Sequence, residues 1–311
     1  LLELANWGSD GRDLAFLTPP PLAALTEARA LLQDLGALDA AGRITPHGRA
    51  LVALPLHPRL AHMLMLAGRD AADLAALMAE RDPLTGAPAD LTLRLRAIRD
   101  LNAYQDRHSW PANPGTLHRI RDEAKRLRRM APAGQGLSPG AMAALAYPDR
   151  IGLRRKGDQP RYVLSGGKGA VLTDGDTLAA ARLIVATDLD GDAREARIRM
   201  AAPVDEAELR ELFADRIETV EAVEWSRREN RVSARRQEKL GALVLADRAL
   251  DDPDPQAMAL AAFEGLRVNG LNWIPAAARL RARIALIPDL GPVDDESLLA
   301  DPDWLLPYLG R

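Results

Sequence analysis

The stretch Leu31-Leu32-Gln33-Asp34-Leu35-Gly36-Ala37-Leu38-Asp39-Ala40-Ala41-Gly42-Arg43-Ile44-Thr45-Pro46-His47 closes one helix, turns once and opens another. Upstream, Leu22, Leu25, Ala28, Leu31, Leu32 and Leu35 fall at helical spacing, and Gly36 stands where a helix C-terminus prefers glycine. The apolar pieces Ala37-Leu38 and Ile44 flank an Asp/Gly turn, which reads as a short hairpin. Thr45 has a side chain able to cap the next helix, and Pro46 fits its first turn, where a missing N–H costs nothing. Helix, wing, helix is the order of a winged-helix domain.

Proline marks the boundaries on either side. Thr18-Pro19-Pro20-Pro21 stops the segment before the first helix, and residues 1–17 read as the tail of a helical domain. Leu54-Pro55-Leu56-His57-Pro58 opens a series of apolar-striped helices: Leu60 to Ala67, Asp70 to Met78, a helix capped by Asp90 with Leu91, Leu95, Ile98, Leu101 and Tyr104 on one stripe, and Pro114 to Met130. At Tyr147-Pro148-Asp149 the pattern changes. Five short strands, at 151–155, 161–164, 170–172, 183–186 and 196–201, predict a small OB-like barrel. Asp205 then caps a short helix to Phe213. Two longer strands, about 219–225 and 231–245, and helices near 256–267, 276–287 and 297–309 complete the chain. The expected fold class is α+β and multidomain: a winged helix (1–57), an α-helical ratchet-like bundle (58–145), an OB-like β-barrel (146–204) and a mixed α/β C-terminal domain (205–311).

Composition fits that length. Of 311 residues 47% are hydrophobic, 27% charged and only 4% aromatic, so aliphatic side chains must build several cores. The absence of cysteine excludes disulfides, thiolate metal sites and a cysteine nucleophile, and fits a cytoplasmic location. No apolar run reaches the ~18 residues of a membrane span. Leu1-Leu2-Glu3-Leu4 is not a signal peptide and has no initiator Met, so the start reads as a cut end. The net charge of −3 hides an asymmetry: residues 91–130 carry a net +6 and residues 285–311 a net −5. A basic zone in a mildly acidic protein is a candidate polyanion footprint.

Motifs for other chemistry fail on their spacing. Ser165-Gly166-Gly167-Lys168-Gly169-Ala170 lacks the Ser/Thr after lysine, and Tyr162 stands where the first glycine of a phosphate loop belongs. Asp188, Asp190 and Asp192 alternate as in a calcium loop, but Ala193 and Arg199 occupy the places of its glycine and its last carboxylate, so a turn between strands is expected. The five histidines have no nucleophile or acid at motif spacing, and capping or packing roles are expected of them. No catalytic or metal residues are assigned.

The run from Gln33 to Asp39, then Arg43-Ile44-Thr45-Pro46-His47-Gly48-Arg49, then Leu54-Pro55-Leu56-His57-Pro58-Arg59-Leu60-Ala61-His62-Met63-Leu64, resembles the winged-helix to bundle junction of DEAH-type helicases without a gap. Downstream, Tyr147-Pro148-Asp149-Arg150-Ile151, Tyr162 to Ala170 and Asp188-Leu189-Asp190-Gly191 are similar to the barrel of the bacterial HrpB branch. Arg235 to Leu245 and Trp304-Leu305-Leu306-Pro307-Tyr308-Leu309 resemble its C-terminal domain. The resemblance covers essentially the whole chain, with Pro288–Glu296 shorter than the family pattern. It implies the accessory part of an ATP-dependent RNA helicase, whose RecA-like motor domains would bind ATP and Mg²⁺. Neither a Walker A loop nor a DEAH box occurs in this sequence, so the chain is expected to be inactive alone and to need no cofactor.

What such a region has to supply is a cationic groove along a single strand, RNA favoured, because strand affinity comes chiefly from phosphates. The candidates are Arg94, Arg119, Arg126 and Arg129 in the bundle and Arg154, Arg155, Arg161 and Lys168 in the barrel. With only Tyr147 and Tyr162 aromatic in the barrel, backbone gripping is expected over base reading. The alternative is a protein-interaction module that docks the motor domains or another partner without touching nucleic acid. An independent winged-helix regulator has only Arg49 and His47 to offer bases.

Overall fold

The computed structural model describes residues 1–9, 11, 14–192 and 195–309. The chain divides into two compact units: residues 1–214 with 241–243, and residues 215–240 with 244–311. The three segments expected to be a winged helix, a bundle and a barrel therefore fall within one unit.

The first unit begins with α1 (Leu2–Trp7), α2 (Leu22–Asp34) and α3 (Pro46–Val52). The wing is a single bridge, Leu38 to Ile44, rather than a ladder. Its turn is held by the Asp39 carboxylate, which accepts from the Ala41 and Arg43 amides at 2.9 Å each. The Thr45 hydroxyl accepts from the Gly48 amide at 2.9 Å and donates to the Gly36 carbonyl at 2.7 Å, so one side chain caps α3 and ties it to the end of α2. A Cβ on Gly48 would stand 2.2 Å from the Ala37 carbonyl oxygen, which is why glycine is needed there.

The bundle follows as α4 (Pro58–Ala67), α5 (Ala72–Ala79), α6 (Leu91–Arg99), α7 (Leu101–Gln105), α8 (Pro114–Met130) and α9 (Pro139–Ala146). Two features depart from expectation. The stripe read as one helix through Tyr104 is broken at Asp100, which is extended (φ −145°, ψ 100°) and caps α7 by accepting from the Ala103 amide. The second is α9, which has no polar face: every residue from Gly140 to Ala146 is buried. It packs on α4 and on the barrel, and a Cβ on Gly140 would meet the Pro203 carbonyl oxygen at 2.0 Å.

His47 on α3 and His62 on α4 share a hydrogen bond of 2.8 Å between Nε2 and Nδ1. Burial pushes the His47 imidazole below its ordinary pKa; burial does the same at His57, helped by Arg59 and Arg150. The folded chain thus resists protons that the unfolded chain accepts near pH ~6.5. Stability is expected to be complete above that pH and to fall as pH drops through it, so the urea midpoint should be lower at pH 5.5 than at pH 7.5. Replacing His47 and His57 by asparagine should shrink that difference; an unchanged difference would exclude them as its source. The carboxylates held low by neighbours, such as Glu80 beside Arg119, act in a separate window below pH ~4.5.

The barrel has strands β1 (Ile151–Arg154), β2 (Arg161–Leu164), β3 (Gly169–Val171), β4 (Leu183–Leu189) and β5 (Glu195–Pro203), and it closes in the order β1-β2-β3-β5-β4. Only the β3–β5 pairing is parallel. This is the Greek-key order of a five-stranded OB barrel. Tyr162 fills the core, and its hydroxyl lies 3.0 and 2.9 Å from the carbonyl oxygens of Leu178 and Ala181. Burial pushes its pKa up to about 12. The β4–β5 connection begins as a turn: the Asp190 carboxylate accepts from the amides of Asp192 and Arg197, while Ala193 lies outside the described residues. Helix α10 (Glu206–Leu212) closes this unit, capped by Asp205 and joined to α9 through Ser138, which donates to Glu208 from both amide and hydroxyl.

Arg59 ties bundle to barrel. It donates to both carboxylate oxygens of Asp149, at 2.6 and 3.0 Å, and to the Ala146 carbonyl at 3.1 Å. The Tyr147 ring has the guanidiniums of Arg59 and Arg150 at 5.0 and 4.8 Å.

The second unit holds a three-stranded sheet, β6 (Ile217–Ser226), β7 (Arg231–Leu240) and β8 (Leu243–Ala249), in that order. The strand expected at 231–245 is thus two strands, folded back at Gly241, whose φ of 56° suits glycine. Helices α11 (Pro255–Asn269), α12 (Pro275–Ile284), α13 (Asp295–Ala300) and α14 (Leu306–Leu309) follow, so the single helix expected at 297–309 is interrupted. Gly265 lets α11 approach the Trp225 ring; a Cβ there would lie 2.4 Å away.

Candidate nucleic-acid interface

The eight predicted binding residues meet different fates. Arg94 is only 2% exposed. It ion-pairs with Asp82 at 2.7 Å and donates to the Asp90 carbonyl at 2.9 Å and to the Pro88 carbonyl. The expectation that Arg94 faces a groove is corrected: a guanidinium enclosed by its own fold has no donor to spare for phosphate. The sequence carried the signal, because Arg94 lies three residues after Leu91 and four before Ile98, on the apolar stripe itself.

Arg119 and Arg126 are exposed but paired, with Glu80 at 3.1 Å and with Glu123 at 2.5 Å, and those carboxylates hold their pKa values up. Arg161 pairs with Glu195 at 3.2 Å, and Arg154 donates to the Ala179 carbonyl at 2.8 Å. Arg129, Arg155 and Lys168 are exposed and carry no acidic partner among the described residues. Lys168 sits in the turn between β2 and β3, Arg155 just after β1. The eight do not converge on one place.

A different set does. Arg96 and Arg99 on α6 and Arg107 just beyond α7 line one cleft of about 200 Å³ with Asp100, Ala103, Tyr104 and His108. None of the three guanidiniums has an acidic partner among the described residues. Asp100 is committed to capping α7. Arg99 also lines the adjoining groove of about 490 Å³, where Arg69 and Arg128 stand with Asp70 and Asp73. There Arg128 is neutralised by Asp73 at 2.5 Å, and Asp70 accepts from the Gly136 amide at 3.1 Å. Arg121 donates to the Ala97 and Ile98 carbonyls and so caps the end of α6, the helix that carries Arg96 and Arg99. Unneutralised positive charge therefore runs from Arg107 through Arg96 and Arg99 to Arg69. Sequence reasoning counted Arg96, Arg99 and Arg107 in the basic zone of residues 91–130 without assigning them to the site, and it missed Arg69. Charge counting cannot tell a paired arginine from a free one.

The winged part offers a third concavity, about 640 Å³, lined among others by Trp7, Arg29, Arg43 and Arg49. Among the described residues there is no group of three metal-ligating side chains and no helix long and apolar enough to cross a membrane.

The chain is similar to known helicases. Residues 28–56 match the winged-helix model of the helicase-associated domain HA2, and residues 216–250 match the connector region of the ATP-dependent RNA helicase HrpB. The chain is 33% identical to the ATP-dependent RNA helicase HrpB of Escherichia coli K12 over 99% of its own length and 38% of that protein's. Two crystal structures of E. coli HrpB are similar in fold: one described as a DExH-box NTPase (TM-score 0.65, 32% identity) and one as a DEAH/RHA helicase (TM-score 0.63, 29% identity). Each is matched over 99% of this chain and 38% or 39% of theirs. The matched winged-helix segment lies in the same compact unit as the bundle and the closed barrel. In sequence and fold the chain is similar to the C-terminal part of E. coli HrpB, and it spans under two fifths of that protein's length.

Proposed function

We propose that this chain is the strand-gripping, non-motor region of an ATP-dependent RNA helicase, and that its bundle forms a wall of the single-strand channel. The observation that carries this reading is the line of unneutralised guanidiniums at Arg96, Arg99, Arg107 and Arg69 beside an open cleft and groove. Free cations on rigid helices bind a phosphate backbone without regard to sequence, which suits an enzyme that must move along any strand. ATP and Mg²⁺ would act at the motor domains such helicases carry, and the strand and those domains are the partners this reading implies.

A titration of the chain with a twelve-residue oligouridylate at about 50 and about 200 mM salt tests it. Affinity should fall by roughly tenfold or more between the two, as expected when about three or four phosphate contacts release counterions. Binding that ignores salt would sink the reading. It would favour instead a docking role for the first two helices and the segment between them, where Trp7, Leu17 and Leu22 are exposed.

A further inference from the structure

The cleft between α6 and α7 contains more than cations. Tyr104, His108 and Trp110 form a row: the Tyr104 and His108 ring centroids are 5.0 Å apart at 38°, and those of His108 and Trp110 are 5.6 Å apart at 23°. The row is fixed at its buried end. Tyr104 is 2% exposed, its hydroxyl donates to the Trp110 carbonyl at 3.2 Å, and the His108 amide donates to the Tyr104 carbonyl at 3.0 Å. Tyr104 and His108 line the cleft, Trp110 backs the imidazole, and Arg96, Arg99 and Arg107 surround the mouth.

An aromatic floor under three unpartnered guanidiniums matches one ligand chemistry, a flat ring joined to an anion. The volume of about 200 Å³ suits a single base and is too small for a folded peptide element. We infer that this cleft takes one unstacked nucleotide of the bound strand, the face of its base against the edge of His108 in the aromatic row and its phosphates on Arg96, Arg99 and Arg107. The inference rests on the strand-gripping reading and adds to it a base contact that is indifferent to sequence, since every base has a π-face. It also revises the expectation of backbone gripping alone, which considered aromatics only in the barrel.

The test compares the twelve-residue oligouridylate with the same strand carrying reduced abasic ribose at every position, which keeps the charge and removes the rings. The full chain should bind the base-bearing strand about two- to tenfold more tightly, the effect of one edge-to-face aromatic contact. His108→Ala should erase the preference, and His108→Phe should keep most of it. Should alanine unfold the loop, His108→Leu retains bulk without a ring and should erase the preference in the same way. Arg107→Ala should weaken both strands alike and leave the preference intact. Equal, salt-sensitive binding of the two strands by the unaltered chain would overturn the base slot while sparing phosphate gripping. A preference that survives His108→Ala in a folded chain would overturn it as well. Loss of salt sensitivity for both strands would bring down the strand-gripping reading itself.

Discussion

Arg94→Ala should destabilise the first unit by roughly 2–3 kcal/mol, chiefly from two carbonyls left without their donor and the cavity left by a buried side chain, because Asp82 is 34% exposed and is partly re-solvated by water. The reason lies in what the guanidinium leaves behind. Asp82 loses a two-nitrogen partner and the carbonyls of Pro88 and Asp90 lose their donor, while the hole opens beneath α6. Arg94→Lys should recover little, because one ammonium cannot reach a carboxylate and two carbonyls in the geometry a planar fork provides. Urea unfolding of the full chain measures the loss. At a urea concentration where the variant is still folded, its affinity for oligouridylate should match that of the parent. A folded variant with lost affinity and unchanged stability would show instead that Arg94 contacts the strand.

The second large effect is the converse. Arg96→Ala, Arg99→Ala and Arg107→Ala together should leave the urea midpoint nearly unchanged, since none of these side chains has an acidic partner to lose. Affinity for the single strand should fall by about 10–100-fold at low salt. The slope of log affinity against log salt should become shallower by about 2, at about 0.7 per single-strand phosphate contact. Arg119→Ala with Arg126→Ala is the matched control. Each of those arginines already faces a carboxylate, so removing it exposes an acid as well as deleting a base, and the salt slope should change much less. A control that flattens the slope as strongly as the triple variant would move the interface to the opposite flank of α8.

What could be read from the sequence follows from which signals are local. Thr45-Pro46, Asp90 and Pro114 announced helix starts, and the structure has capping bonds at all three, the last made by Asn113, which the sequence reading did not single out. The barrel strands were legible because short apolar runs alternated with Gly/Asp turns. By contrast α9, Pro-Gly-Ala-Met-Ala-Ala-Leu-Ala, has no period to detect because all its faces are buried. The break at Asp100 was hidden because Leu95, Ile98, Leu101 and Tyr104 keep helical spacing across it. Pairing is less local still. Arg119 finds its acid 39 residues away and Arg128 finds its own 55 residues away, so the charge that remains free emerges only from the folded arrangement. The aromatic row was missed because Tyr104 and His108, four apart, lie on either side of a helix end, with Trp110 two residues further on, so no single period carries all three.

The apolar helix α9 decides whether bundle and barrel can be separated. It belongs by chain order to the bundle, yet its glycine sits against the last barrel strand and its alanines have no solvent side. A gene fragment cut at the Tyr147-Pro148 joint would strand that helix on one piece and bare its socket on the other. Neither piece should therefore stay folded and soluble alone, so bundle and barrel have to be produced together.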